Sequence, residues 1–179
     1  MKNIKLFLFL FIFLFSSLKL MANQDISIYD FEFSDIDGNI IKLSTFSGKP
    51  LLIVNTASRC GFTPQYTGLQ NLFSNYRKTD LTIIAMTSNS FNQEYENTED
   101  IKKICLVNYN VGFITSSPIE VKGNQSHPLF KWIKDEYNKS PKWNFYKYLF
   151  NKSGNLVGSW SSMTKPESKK IKKEIDQLI

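Results

Sequence analysis

Two short apolar runs with a helical period between them set the architecture. Residues 51–55 read Leu-Leu-Ile-Val-Asn and residues 81–86 read Leu-Thr-Ile-Ile-Ala-Met. Each has the length and the β-branched centre of a strand buried on both faces. Between them Leu69, Leu72, Phe73 and Tyr76 recur at the spacing of one helix face. Strand, helix and strand in that order make a right-handed parallel crossover. The chain is thereby committed to an α/β fold.

The flanking sequence adds elements to that unit. Phe31 and Phe33 alternate with polar residues, Asp37-Gly38 is a two-residue turn signal, and Ile40 and Ile41 follow, which predicts an opening β-hairpin. Thr98, Glu99 and Asp100 form an N-terminal cap for a helix carrying Ile101, Ile104 and Cys105. A further helix is expected from about Ser126 through Leu129, Phe130 and Ile133. Residues 148–150 and 156–160 flank Lys152-Ser153-Gly154 as an antiparallel hairpin. Thr164-Lys165-Pro166-Glu167 matches a capping box with Pro in the first turn, starting a last helix whose buried stripe is Ile171, Ile175 and Leu178. The sum is a mixed sheet with helices on both faces, a thioredoxin-like sandwich with an N-terminal β-hairpin.

The first residues stand apart from this domain. Lys2 and Lys5 precede the apolar run 6–15, then Ser16, Ser17 and a short stretch ending at Ala22. That is the pattern of a secretory signal peptide, with cleavage expected after Ala22. Leu20 is larger than the small residue usual three places before a cut, so an uncleaved N-terminal anchor is the alternative. Residues 1–22 are read as this leader and 23–179 as one domain, facing an exported, periplasmic or otherwise extracytoplasmic compartment.

Charge excludes one class of partner. Of 22 basic residues against 16 acidic ones, Lys2, Lys5 and Lys19 fall in the leader, so the domain is only mildly basic. Lys165, Lys169, Lys170, Lys172 and Lys173 cluster near the last helix without interleaved aromatics, which reads as a solvated face rather than a nucleic-acid platform.

The chemistry concentrates at Cys60, in Asn55-Thr-Ala-Ser-Arg-Cys60-Gly-Phe-Thr-Pro-Gln-Tyr66. A cysteine just past the C-terminal end of a central strand, at the start of a helix, occupies the crevice where open α/β sheets place ligands. Unsatisfied N–H groups at the helix start and the neighbouring Arg59 favour the thiolate, which is the nucleophilic form. Thr63 stands where a C-x-x-C dithiol needs its second cysteine, which disfavours thioredoxin-type exchange. Ile53 and Ala57 break the peroxiredoxin pattern Pro-x-x-x-Thr-x-x-Cys. With Cys105 and His127 as the remaining cysteine and histidine, no metal site is expected. No cofactor is expected either. His127, before Pro128, reads as a capping or loop residue rather than half of a Cys-His dyad.

The segment around Cys60 resembles the catalytic segment of glutathione peroxidases, and Lys142-Trp-Asn-Phe-Tyr-Lys147 resembles their second signature. The resemblance runs from about Asp30 to the C-terminus and includes Ser161-Ser-Met-Thr-Lys-Pro166. It implies a thioredoxin-like fold and reduction of hydrogen peroxide or organic hydroperoxides, in defence against oxidative stress. By that resemblance Cys60 attacks the peroxide and becomes a sulfenic acid, while the Trp143 indole and the Asn144 amide donate hydrogen bonds to its sulfur. Cys105, whose apolar helical phase also suits a core cysteine, is by the same resemblance the resolving residue that condenses with Cys60 to a disulfide.

One position departs from the family. Its members carry a glutamine after the second strand to hydrogen-bond the sulfur, and Ser90 falls there, with Gln93 three residues on. The expected partners are a peroxide and a thiol reductant, either an exported thioredoxin-like protein or glutathione. The short connection 138–141 leaves little material for an assembly loop and favours a monomer. Two other readings compete: an exported thiol-disulfide oxidoreductase, and a non-catalytic domain with a structural Cys60–Cys105 disulfide.

Overall fold

A computed structural model describes residues 26–179; the leader expected over 1–22 lies outside them. Five strands form the main sheet in the order β5-β4-β3-β6-β7, with β3 at Leu51–Thr56, β4 at Thr82–Thr87, β5 at Ile114–Thr115, β6 at Lys147–Phe150 and β7 at Leu156–Trp160. β4 runs parallel to β3 and β5 parallel to β4, whereas β6 is antiparallel to β3 and β7 to β6. The mixed sheet follows from the connections. A helix crosses between β3 and β4, and a short turn joins β6 to β7. All six residues of β3 are buried, as a central strand covered on both faces requires.

Helices cover both faces. On one, α1 (Gln65–Tyr76) packs Tyr66, Leu69 and Leu72 beside Ile101 of α2 (Thr98–Lys102) and Ile171 and Ile175 of α4 (Lys169–Asp176). On the other, α3 (Pro128–Tyr137) buries Leu129, Phe130 and Ile133 with Ile53, Ile84 and Tyr148 of the sheet. α2 runs on into a π-helical stretch, Lys103–Asn108, whose buried residue is Cys105. No helix among the described residues is long and apolar enough to cross a membrane.

The predicted elements are all present, with displaced ends. β1 (Glu32–Ser34) and β2 (Ile40–Lys42) form the opening hairpin, but residues 35–39 link them rather than a two-residue turn. Asp35 Oδ1 accepts from the N–H groups of Asp37 and Asn39 and so closes the longer loop. α2 is capped by Asn97, whose Oδ1 accepts from Glu99 N, one residue before the expected cap. α3 starts at Pro128 with His127 as its N-cap, the capping role expected of that histidine. α4 starts at Lys169 behind a Ser168 cap, so 164–167 is not the capping box. Likewise Cys60 is not in the first turn of α1. Tight turns occupy 58–64, and the helix begins after Pro64.

Candidate active site

Cys60 lies four residues past the end of β3, in a loop closed by its own side chains. The Cys60 N–H donates to Thr63 Oγ1 at 3.0 Å, and the Thr63 hydroxyl donates to the Ala57 carbonyl at 2.9 Å. Thr63, the residue that excludes a C-x-x-C motif, is therefore the strut of the loop. The sulfur is nearly buried and accepts from the Phe62 N–H at 3.4 Å. The Arg59 guanidinium lies over the Tyr95 ring, 5.3 Å from its centroid, so this cation is held by an aromatic face.

The second signature approaches from across the sheet. Asn55, on β3, grips the turn at both ends. Its Nδ2 donates to the Trp143 carbonyl at 3.0 Å, and its Oδ1 accepts from Tyr146 N at 2.9 Å. Phe145 N also donates to the Asn55 carbonyl. Phe145 takes a left-handed conformation, φ +63°, which a bulky non-glycine residue holds only where its surroundings over-determine it. That kink separates two side chains. Asn144 turns fully inward, whereas Trp143 stays 39% exposed, its ring 5.3 Å from that of Phe91.

Asn144 meets Gln93. Its Nδ2 donates to Gln93 Oε1 at 3.0 Å, and the Gln93 carbonyl accepts from Arg59 N at 2.9 Å. Gln93 thus joins the residue before Cys60 to the second signature. Ser90 is used otherwise. Its hydroxyl donates to Glu120 Oε2 and accepts from Val121 N at 2.9 Å, tying its loop to the 117–121 segment. Among the described residues the hydrogen bond recorded at the Cys60 sulfur is the one from Phe62. The side chains of Trp143 and Asn144 are engaged with Phe91 and Gln93.

Two further groups were not singled out from sequence. Glu94 is buried, its carboxylate accepting from Ser58 N at 3.0 Å and Tyr95 N at 2.9 Å. Burial raises its pKa, and the Ser58 and Tyr95 hydrogen bonds oppose that rise. Its position beside the glutamine of Asn92-Gln93-Glu94 was the available signal. The other group is Tyr66, fully buried on α1, to whose oxygen the Cys105 thiol donates at 3.3 Å. Cys60 and Cys105 are both free thiols in the same core cluster. Burial pushes the Cys105 thiol up to about 11.

A strand-end cysteine is braced by Thr63, and Gln93 links the backbone of the residue before it to Asn144 of the second signature. The glutathione peroxidase family model matches residues 28–134. The chain belongs to the glutathione peroxidase family. It is 40% identical over 158 residues to the glutathione peroxidase homolog BsaA of Staphylococcus epidermidis, covering 86% of this chain and 99% of that one. It is 37% identical to the hydroperoxy fatty acid reductase gpx1 of Synechocystis, covering 89% of this chain and 100% of the relative. Among solved structures, the apo crystal structure of Trgpx superposes with a TM-score of 0.71 at 34% identity, covering 87% and 96% of the two chains. A DsbF structure from M. tuberculosis, at 10% identity and a TM-score of 0.60, covers 84% of this chain and 96% of that one and shares the thioredoxin-like fold alone. The protein is a thiol-dependent peroxidase, an oxidoreductase that acts on peroxide.

An open apolar groove of about 1040 Å³ begins at Gly61 and Phe62 of the Cys60 loop and runs between Pro64, Met163 and Pro166. Met163 is 78% exposed on its wall. The peroxidase therefore carries apolar surface next to the Cys60 loop.

Proposed function

We propose that Cys60 is the peroxidatic residue and Cys105 the resolving one. The Cys60 thiolate attacks one oxygen of the peroxide and the O–O bond breaks. The sulfur keeps the attacked oxygen and its hydrogen as a sulfenic acid, and the alkoxide or hydroxide leaves and takes a proton from solvent. The Cys105 thiolate then attacks that sulfur, expelling the hydroxyl as water and forming the Cys60–Cys105 disulfide, which two electrons from a thiol reductant return to the dithiol. The observation that carries this reading is the Cys60 loop at the end of β3, where the sulfur already receives a backbone N–H.

Trp143 and Asn144 act in this reading as donors to the sulfur once peroxide is engaged, with Gln93 holding Asn144 in place. Gln93, rather than Ser90, replaces the family glutamine, because the Ser90 hydroxyl is taken up by Glu120 and Val121. The leader pattern in 1–22 supports an exported enzyme, by cleavage or by anchoring, working as a monomer against oxidative stress. An exported thioredoxin-like protein or glutathione is then its reductant. The groove beside Phe62 supports organic hydroperoxides as substrates alongside hydrogen peroxide.

Rapid mixing of the reduced domain with a slight excess of hydrogen peroxide, followed by thiol counting and intact mass, tests the reading. Both thiols should disappear in the parent, Cys60→Ser should not react quickly, and Cys105→Ser should accumulate a sulfenic acid. Thiols that survive peroxide in the parent would refute it.

A further inference from the structure

A lysine with no anion beside it lies in the core of this molecule. Lys147, the first residue of β6, is completely buried. Its Nζ donates to Gln65 Oε1 at 2.5 Å and to the Thr164 carbonyl at 2.7 Å. The ion pairs recorded among the described residues are both made by Lys102, with Asp37 and Glu99. Around Lys147, α1 presents the Gln65 amide and the segment before α4 the Thr164 carbonyl. β3 and β7 present the register partners Val54 and Trp160. None of these groups carries a charge. Burial alone pushes the ammonium down to about 7.

The partners of this ammonium lead to the candidate active site. Gln65 uses the other end of its amide, donating from Nε2 to the Ser162 carbonyl at 2.6 Å. The Ser162 hydroxyl donates to the Asn144 carbonyl at 2.5 Å. One chain of hydrogen bonds thus runs from Lys147 through Gln65 and Ser162 to Asn144. It joins the helix that follows Cys60, the 161–164 segment and the second signature. An ammonium has three donors and no acceptor. Facing it, Gln65 must turn its oxygen to Lys147 and its N–H to Ser162. A neutral amine can also accept and imposes that direction less strictly.

We propose that Lys147 is a positioning residue for the peroxidase reaction: its protonated amine orients Gln65 and, through Ser162, fixes the placement of Asn144. The proposal rests on the reading of Cys60 as the peroxidatic residue. The energetic setting agrees with it. An ammonium taken out of water with no counter-ion beside it carries a desolvation cost that an apolar side chain does not. A position kept only for packing would therefore do as well with methionine. Lysine here sacrifices stability for a directed hydrogen bond.

The test measures the second-order rate of Cys60 oxidation by hydrogen peroxide from pH 5.5 to 8.5 in the parent and in Lys147→Met, together with their melting temperatures. The ratio of the two rates removes pH effects common to both proteins. Expected is a parent about tenfold faster at pH 6, with the ratio falling towards one as pH rises through about 7, where the parent loses its ammonium. Lys147→Met leaves the Gln65 oxygen and the Thr164 carbonyl without their donor, so a melting transition at pH 6 serves to confirm that the variant is folded when its rate is read. Equal rates, or a ratio flat across the range, would overturn the proposal. Gln65→Met guards against a Lys147→Met protein that fails to fold. It should slow the reaction at pH 6 by a similar factor, and a Gln65→Met enzyme as fast as the parent overturns the proposal as well. A parent that does not react with peroxide removes the Cys60 reading itself. A reactive parent matched by its variants removes only the role of Lys147.

Discussion

Asn144 donates its side-chain N–H to Gln93 at 3.0 Å, and the same Gln93 accepts the backbone N–H of Arg59, the residue before Cys60. Gln93→Ala should therefore slow oxidation of Cys60 about tenfold, the effect of one hydrogen bond on a barrier. Ser90→Ala should leave that rate within about twofold and lower stability by about 1 kcal/mol through loss of its bonds to Glu120 and Val121. Stopped-flow oxidation and urea melts of the two variants separate the roles. The opposite ranking of rates would return the function to Ser90.

Asn55 fixes the turn that carries Trp143 and Asn144 by hydrogen bonds at both ends. Asn55→Ala leaves the Trp143 carbonyl and the Tyr146 N–H without these partners in a buried setting, which costs about 2–4 kcal/mol. It also frees Phe145 to relax from its left-handed conformation. Denaturant melts should register the first effect, and a drop of more than tenfold in the rate of Cys60 oxidation the second.

Thr63→Val keeps the shape of the side chain and removes its oxygen. The Cys60 N–H loses its acceptor and the Ala57 carbonyl its donor. A loss of about 1–3 kcal/mol is expected, together with slower oxidation by peroxide as the loop loosens. Urea melts and stopped-flow kinetics measure the two losses.

Cys105 should be the slow thiol. Its pKa is near 11 in the folded protein against 9.0 as the ordinary value. Alkylation by iodoacetamide at pH 8 should therefore modify one thiol per molecule rapidly, with Cys105 following only as the protein opens. The sign for stability follows by linkage. Between 9.0 and about 11 the folded state holds a proton that the unfolded state has released, so stability falls as pH rises through that window. Cys105→Ala should lose less stability than the parent between pH 9 and 11, as measured by urea melts.

Much of the site was legible because its parts lie in contiguous segments. Strand burial and the place of Cys60 just beyond the end of β3 follow from the run 51–60, since a fully apolar strand followed by polar turn residues has few places to go. Element ends were less legible, because tertiary contacts compete with local signals. The Thr164 carbonyl is claimed by Lys147, and the segment that reads as a capping box turns instead before Ser168 starts α4. Pro64 lacks an N–H and disfavours helix at Thr63, so α1 starts beyond it and Cys60 stays in the turn. Asp35 draws two backbone N–H groups to one carboxylate oxygen and lengthens a turn that Asp37-Gly38 alone would close in two residues. Lys147 was illegible for a simpler reason. A lysine in a strand reads as outward-facing, and only its contacts with Gln65 and Thr164 place it inside.

The π-helical stretch at Cys105 has a consequence for how this chain can vary. An i→i+5 turn takes up one residue more than an α turn. Such a turn is an insertion in the chain rather than a choice of side chain. Substitutions within 103–108 can weaken it, but restoring α-helical spacing takes a deletion. Deleting one residue before Cys105 would swing that thiol by about 100° around the helix, given 3.6 residues per turn, and away from Tyr66. The reach of the second thiol is thus set by the length of the chain.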